Sequence, residues 1–298
     1  MTKRLITILI ILISTQYFLV AQEVEGNLVT FSEKDGIPSN FIWSILQDHL
    51  GFIWIGTDNG LLKYDGYKFH RFDLAQLLGY YNFSTLISSL FEDSELNLWI
   101  GTGGGLLKYN RIKGDYHLYQ YHPAYNLSPS KLLTVSTFVE DTNGTIWLGV
   151  FDYRGTDIKD GLAYIKKGED DIKIFIGVHN SLGIGRIFDM EIDKKNNLWI
   201  SGYGGLRKID LATMSLEKIE FENSPIRSFN ISIFMDNNGI LWGCEGYGFG
   251  SYDPSNGTVK AYSFNSANIN SISNNYVSSI IQDKDRTLWL GTDNGIYH

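Results

Sequence analysis

Six aspartates occupy one recurring position in this chain: Asp48, Asp93, Asp141, Asp193, Asp236 and Asp283, each six residues ahead of a tryptophan. A row of carboxylates could hold a cation or supply acid/base pairs. Identical spacing argues against both, because equivalent positions in successive repeats lie apart in the fold. Short turns follow the aspartates (His49-Leu50-Gly51, Thr142-Asn143-Gly144, Asn237-Asn238-Gly239). There a carboxylate can accept backbone N–H groups while Gly or Asn takes positive φ, so the six are expected to cap turns.

Ten residues before the tryptophans stand Ser44, Ser89, Thr137, Asp189, Ser232 and Ser279. A nucleophilic hydroxyl needs a base beside it, and no His or acid recurs there, so crowding near a central axis is the expected reason for the small side chains. Asp189 alone breaks the rule. A dry, unpaired carboxylate is costly, so Asp189 is expected to be wet, hydrogen-bonded or facing ligand. The six histidines share no register, and the single Cys244 can form neither an internal disulfide nor a zinc site. Gly101-Thr102-Gly103-Gly104-Gly105 lies between strands rather than before a helix, which makes it a hairpin and not a phosphate cradle. The expectation is no catalytic residue, no metal and no cofactor.

The elements that must position these residues repeat with the tryptophans. Trp54, Trp99, Trp147, Trp199, Trp242 and Trp289 are separated by 45, 48, 52, 43 and 47 residues, a period that suits a four-stranded propeller blade. Runs such as Phe52-Ile53-Trp54-Ile55 and Leu288-Trp289-Leu290 are short, apolar and β-rich, as strands buried on both faces should be. A small residue follows two positions later (Gly56, Gly101, Gly149, Ser201, Gly243, Gly291), where backbone meets a close neighbour. The fold class is therefore all-β, a propeller of four-stranded antiparallel blades at about 40–72, 84–122, 133–176, 184–221, 229–264 and 276–298. The sixth repeat is short. We expect a piece of a seven-bladed or double propeller rather than a closed six-bladed ring, with Asn27 to Phe31 as a candidate closing strand.

The chain has 298 residues, 43% hydrophobic and 14% aromatic, enough to bury a large core. A net charge of −8 with no internal basic cluster disfavours nucleic acid and anionic membrane as partners. Lys3 and Arg4 precede an apolar run from Leu5 to Ile13, and Leu19-Val20-Ala21 leads to Gln22, the pattern of a cleaved secretory signal peptide over 1–21. Residues 22–298 then form the propeller domain.

Asp35-Gly36-Ile37-Pro38-Ser39-Asn40, Ser44-Ile45-Leu46-Gln47-Asp48 and Gly51 to Leu61 (GFIWIGTDNGL) closely resemble the two-component regulator propeller repeat. The pattern returns in Ile281-Gln282-Asp283 and in Leu288 to Gly295, and the resemblance spans residues 27 to 298. It implies the periplasmic sensor region of a hybrid two-component system, the inner-membrane-anchored full-length protein adding a β-sandwich, a transmembrane helix and a histidine kinase. Many such sensors in gut and marine Bacteroidetes detect glycan fragments. The implied partners are an oligosaccharide or other small ligand and the downstream domains, with homodimerisation left open. A secreted lyase or glycosidase and a protein-interaction propeller are the alternatives, since fold alone does not choose among them.

Ligand specificity in a propeller can reside in the turns at the channel mouth. Gly149 to Gly161 spans twelve positions where Gly56 to Gly60 spans four, an insertion carrying Phe151, Asp152, Tyr153, Arg154 and Asp157. Aromatic and charged side chains there suit a sugar, and Arg154 would suit an acidic one. Neighbouring turns add Asp58, Asn59, Tyr203, Glu245, Tyr247, Asp293 and Asn294, and the loop before the second blade adds Tyr80 and Tyr81.

Overall fold

The computed structural model describes residues 34, 36–38, 41–74, 85–103, 105–119, 134–151, 160–177, 185–221, 224, 228–245, 248–262, 277–282, 286–292 and 295–297. The expected signal peptide and closing strand lie outside them. Among the described residues, twenty-three strands fall into five four-stranded sheets and one three-stranded sheet, each an antiparallel meander in chain order. Blade one comprises β1 (Ile42–Gln47), β2 (Ile53–Thr57), β3 (Gly60–Tyr64) and β4 (Phe69–Phe72). Blade two comprises β5 (Ile87–Glu92), β6 (Leu98–Thr102), β7 (Gly105–Asn110) and β8 (Asp115–Tyr119). Blade three has β9 (Thr134–Glu140), β10 (Ile146–Phe151), β11 (Gly161–Ile165) and β12 (Lys173–Gly177). Blade four has β13 (Ile187–Ile192), β14 (Asn197–Gly202), β15 (Arg207–Asp210) and β16 (Ser215–Lys218). Blade five has β17 (Ile233–Met235), β18 (Leu241–Glu245), β19 (Gly248–Asp253) and β20 (Thr258–Tyr262), and blade six β21 (Val277–Gln282), β22 (Leu288–Thr292) and β23 (Gly295–Tyr297). Successive inner strands lie against one another, β1 on β5, β5 on β9, β9 on β13, β13 on β17 and β17 on β21.

The turn between the first two strands is built the same way in blades one to five. Gly51 N donates to Asp48 O and Asp48 N to Phe52 O, a type I turn closed by a left-handed residue. That residue has φ between 60° and 87° in all six blades: Gly51, Leu96, Gly144, Asn196, Gly239 and Arg286. Asp48 Oδ1 accepts from Leu50 N and Phe52 N, each at 3.0 Å, and the same bonds recur at Asp93, Asp141, Asp193 and Asp236, so these five aspartates cap turns as expected. Their other oxygen takes an indole N–H. Trp Nε1 donates to the Asp six residues earlier at 2.8, 2.7, 3.0, 3.0 and 3.2 Å in blades one to five. The Asp283 and Trp289 side chains lie outside the described ones. A buried indole needs an acceptor, and one carboxylate serves both turn and core.

A second cap also recurs. Asp65, Asn110, Asp210 and Asp253, eleven residues after the tryptophan, accept backbone N–H groups two or three residues on, in the turn between the third and fourth strands. Blade three lacks it, because the matching position, five residues after the glycine that opens the third strand, is Lys166.

The core lies between blades rather than within each. Trp54 and Leu61 of blade one join Ile87, Leu98, Ile100 and Leu107 of blade two. Trp99 and Leu106 join blade three, Trp147 and Leu162 blade four, Trp199 and Leu206 blade five, and Trp242 blade six. Polar stitches reinforce these seams at the turn face. Glu92 accepts from His49 N at 2.8 Å and pairs with Arg111, whose Nη1 donates to Asp48 at 2.7 Å. One blade on, Glu140 accepts from Ser94 N at 2.7 Å and from its hydroxyl at 2.6 Å.

Candidate functional site

Each inner strand enters from the mouth face and leaves at the aspartate turn, and in every blade but the fifth it has a bulge near its start. The register shifts between Ile42 and Ser44, Ile87 and Ser89, and Ile187 and Asp189, and likewise in blades three and six. A bulge re-aims side chains at a strand end. The small hydroxyls come just after it, and their crowding lies between blades and against the second strand rather than around an open axis. Ser89 pairs with Gly101, where an added Cβ would come 2.3 Å from Ser89 Oγ. Ser89 Oγ donates to Val135 O of the next blade at 2.7 Å, and Ser136 Oγ to Ile187 O at 2.7 Å. Ser89 thus ties its blade to the next, as does Ser136 beside Thr137, whereas Ser44 Oγ is buried without a hydrogen-bond partner and Ser232 donates to Asp189 of the preceding blade.

Blade four is built differently. Ser201 stands where the others have Gly and itself donates to Ile231 O at 3.1 Å, so Asp189 opposite is free to reach further. Asp189 accepts from Ser232 Oγ at 2.9 Å, Ile233 N at 3.0 Å and Met190 N at 2.9 Å. It is half-buried and hydrogen-bonded, and burial pushes its carboxyl up to about 6 against the pull of those donors. Glu191, two residues on, was not anticipated. Burial and the nearby charge of Asp189 push it up to about 8. A signal for it exists in the sequence. Eight residues before each tryptophan stand Leu46, Phe91, Val139, Glu191, Phe234 and Ile281, and Leu46, Phe91, Val139 and Phe234 pack into seams between blades.

Both carboxyls hold a proton longer folded than unfolded. A folded value above the unfolded one means the native state binds more protons, so stability is retained at low pH and lost as pH rises from the ordinary carboxylate range towards about 8. Denaturation midpoints should therefore fall across this window. Glu191→Gln should flatten the upper part, and Glu191→Leu should raise the midpoint at pH 9; unchanged slopes in both variants would place the titration elsewhere.

On the mouth face, Phe151 ends β10, pairs with Thr134 and is 6% exposed, so it is a strand residue rather than a loop residue open to solvent. Arg186, just before β13, has its guanidinium carbon 3.9 Å from the Phe151 ring centroid. Tyr203, just after β14, is 76% exposed and stands edge-on to Phe188 with centroids 5.0 Å apart. Asp58 and Asn59 are exposed in the β2–β3 turn, where Asn59 N donates to Thr57 Oγ1 and Asp58 O accepts from Thr85. Asp152, Tyr153, Arg154, Asp157, Tyr80, Tyr81, Tyr247, Asp293 and Asn294, and the side chain of Glu245, lie outside the described residues. The fold gathers Phe151, Arg186, Phe188 and Tyr203 at the junction of blades three and four.

A concavity at the opposite, turn face is lined by Asp93, Glu95, Lys108, Glu140 and Lys167. Its charges are engaged with one another, Lys167 with Glu95 at 2.8 Å and Lys108 with Asp93 at 3.8 Å.

The family model described as two component regulator propeller matches residues 36–59 and 271–294, which lead into or belong to the first and last blades. No curated protein sequence is significantly similar. Among solved structures, the extracellular domain of a Bacteroides protein (B. thetaiotaomicron) designated a one-component system is 23% identical, covering 91% of this chain and 39% of its own, with a TM-score of 0.61. A second B. thetaiotaomicron extracellular domain, designated part of a hybrid two-component system, gives 20%, 90%, 41% and 0.51. PorZ, a surface component of the type-IX secretion system of Porphyromonas gingivalis, gives 18%, 86%, 38% and 0.66. The chain spans about two fifths of the length of these three. A gluconolactonase from Xanthomonas campestris shares the fold at 11% identity, with 86% and 84% coverage and a TM-score of 0.57. At these identities the likeness is one of fold. Sheet order, recurring turns, matched repeats and neighbours agree: this chain is a β-propeller that carries the two-component regulator propeller repeat.

Proposed function

We propose that this propeller is the ligand-sensing input domain of a signal-transduction sensor. It is exported by the segment 1–21, works in the periplasm through residues 22–298, and signals to a histidine kinase in the same system. The repeat matched at both ends of the described blades carries this reading. Structural neighbours designated extracellular domains of such systems support it. The ligand is an oligosaccharide at the mouth, where the exposed Tyr203 ring offers a face for a sugar to stack on and the insertion adds Tyr153 and Arg154.

Calorimetric titration with a glycan panel should detect binding that Tyr203→Ala, Tyr153→Ala and Arg154→Ala each weaken by ~1–3 kcal/mol. Wild-type affinity in all three variants would move the site elsewhere on the propeller. Absence of binding to any glycan would favour a protein partner.

The carboxyl pair Asp189 and Glu191 favours a second reading, a glycan-cleaving enzyme, because a raised carboxyl near neutral pH can act as a general acid. New reducing ends released by the wild type and lost in Glu191→Gln would establish it; binding without turnover would leave the sensor.

A further inference from the structure

Arg186 has no anionic partner among the described residues. Its guanidinium carbon lies 3.9 Å from the centroid of Phe151 and 5.5 Å from that of Phe188. Nε is buried and has no hydrogen-bond partner. Among the described residues no carboxylate pairs with Arg186, whereas Arg111 at the turn face meets both Asp48 and Glu92. Ring faces compensate a half-buried cation only in part, and a shielded N–H without an acceptor is a cost the fold bears. Packing alone does not require it, since Met would fill the same space between the rings.

The backbone around this side chain is tightly held. Tyr203 N donates to Arg186 O at 3.1 Å, and a Cβ on Gly202 would come 2.2 Å from that same oxygen. The bulge between Ile187 and Asp189 carries Phe188, which meets both Arg186 and, nearly at a right angle, the ring of Tyr203. A fixed guanidinium, two rings that orient it and an exposed phenol ring beside it therefore stand together at the mouth. A planar fork held this way suits an oxyanion met by two parallel N–H groups, while the exposed ring suits the sugar that carries it.

The geometry points to Arg186 as the anion-recognition residue of the mouth, binding the carboxylate or sulfate of an acidic oligosaccharide whose ring stacks on Tyr203. This deepens the sensor reading and rests on it for the oligosaccharide, though not for the anion.

The full chain is titrated with neutral, uronic and sulfated oligosaccharides of equal length, and separately with free glucuronate. The acidic ligands should bind more tightly than the neutral one. Arg186→Met should weaken them by ~10–100-fold, the cost of charged hydrogen bonds, and leave the neutral ligand unchanged. Arg186→Lys should restore only part, because an ammonium offers no fork. The uronic and sulfated arms separate the two sources of charge. No acidic preference in the wild type, or an intact preference in Arg186→Met, overturns the assignment and leaves the sensor reading standing. Should circular dichroism show Arg186→Met unfolded, Arg186→Lys decides: full wild-type preference there overturns the fork. Glucuronate binding that depends on Arg186, without any oligosaccharide binding, keeps the anion site and removes the oligosaccharide. No binding in any arm overturns both.

Discussion

Replacing Trp54 with alanine is expected to lower the stability of the propeller by ~3–5 kcal/mol, whereas Asp58→Ala should change it by no more than ~0.5 kcal/mol. Trp54 is 2% exposed and fills the seam formed by Leu61, Ile87, Leu98, Ile100 and Leu107. Its ring stands edge-on to Phe72, with centroids 5.5 Å apart. A cavity of that size in a seam shared by two blades cannot close by moving one side chain, because the strands on both sides are held by their ladders. Asp48 would lose its indole donor but keep Arg111 and its two backbone donors, so the loss belongs to the cavity and not to the carboxylate. Asp58, exposed in the β2–β3 turn, leaves no cavity behind. Chemical denaturation of the two variants is the measurement; equal midpoints would mean that the tryptophan repeat does not carry the core.

The second large effect is expected at Asp93, which among the described capping aspartates accepts the most hydrogen bonds. Its oxygens accept from Glu95 N at 3.0 Å, Asn97 N at 2.8 Å, Asn97 Nδ2 at 2.9 and 3.0 Å, and Trp99 Nε1 at 2.7 Å. Asp93→Ala would strand several buried donors at once, and ~3 kcal/mol is the expected loss. Asp93→Asn keeps one accepting oxygen for the backbone but turns a donor towards the indole, so it should fall between alanine and wild type. The order wild type, Asn, Ala in urea midpoints tests the double duty of the carboxylate. If Asn equals Ala, the indole bond is the whole effect; if Asn equals wild type, the charge and the indole bond contribute nothing.

Much of the fold can be read from the chain because it is made by contacts close in sequence. Asp to Trp is six residues, and the turn between them uses backbone and side-chain groups no more than four residues apart. Local hydrogen bonding of that range leaves a residue-type signature at fixed spacing, and six copies make it unmistakable. The second cap, eleven residues after the tryptophan, was equally local and could have been found by aligning the repeats on that position. So could Glu191, the one polar residue in a register position that is apolar elsewhere. Spacing does not reveal, however, whether such an exception faces water or a seam.

The repeat, the all-β class, the turn caps and the blade boundaries can be read from the chain alone, because each follows from period, turn chemistry and apolar runs within one blade. What happens between blades is visible only in the folded molecule. It showed that the tryptophans of blades one to five pack into the next blade, that Ser89 and Ser136 donate to the next blade's carbonyls, and that Phe151 lies inside the blade rather than on its loop. It also brought Arg186 onto Phe151, 35 positions earlier, and Asp189 onto Ser232, 43 positions later. Those meetings are set by how one rigid sheet lies against the next, and the raised carboxyls follow from the burial that this packing creates. No local pattern encodes the distance between residues that only the packing of blades brings together.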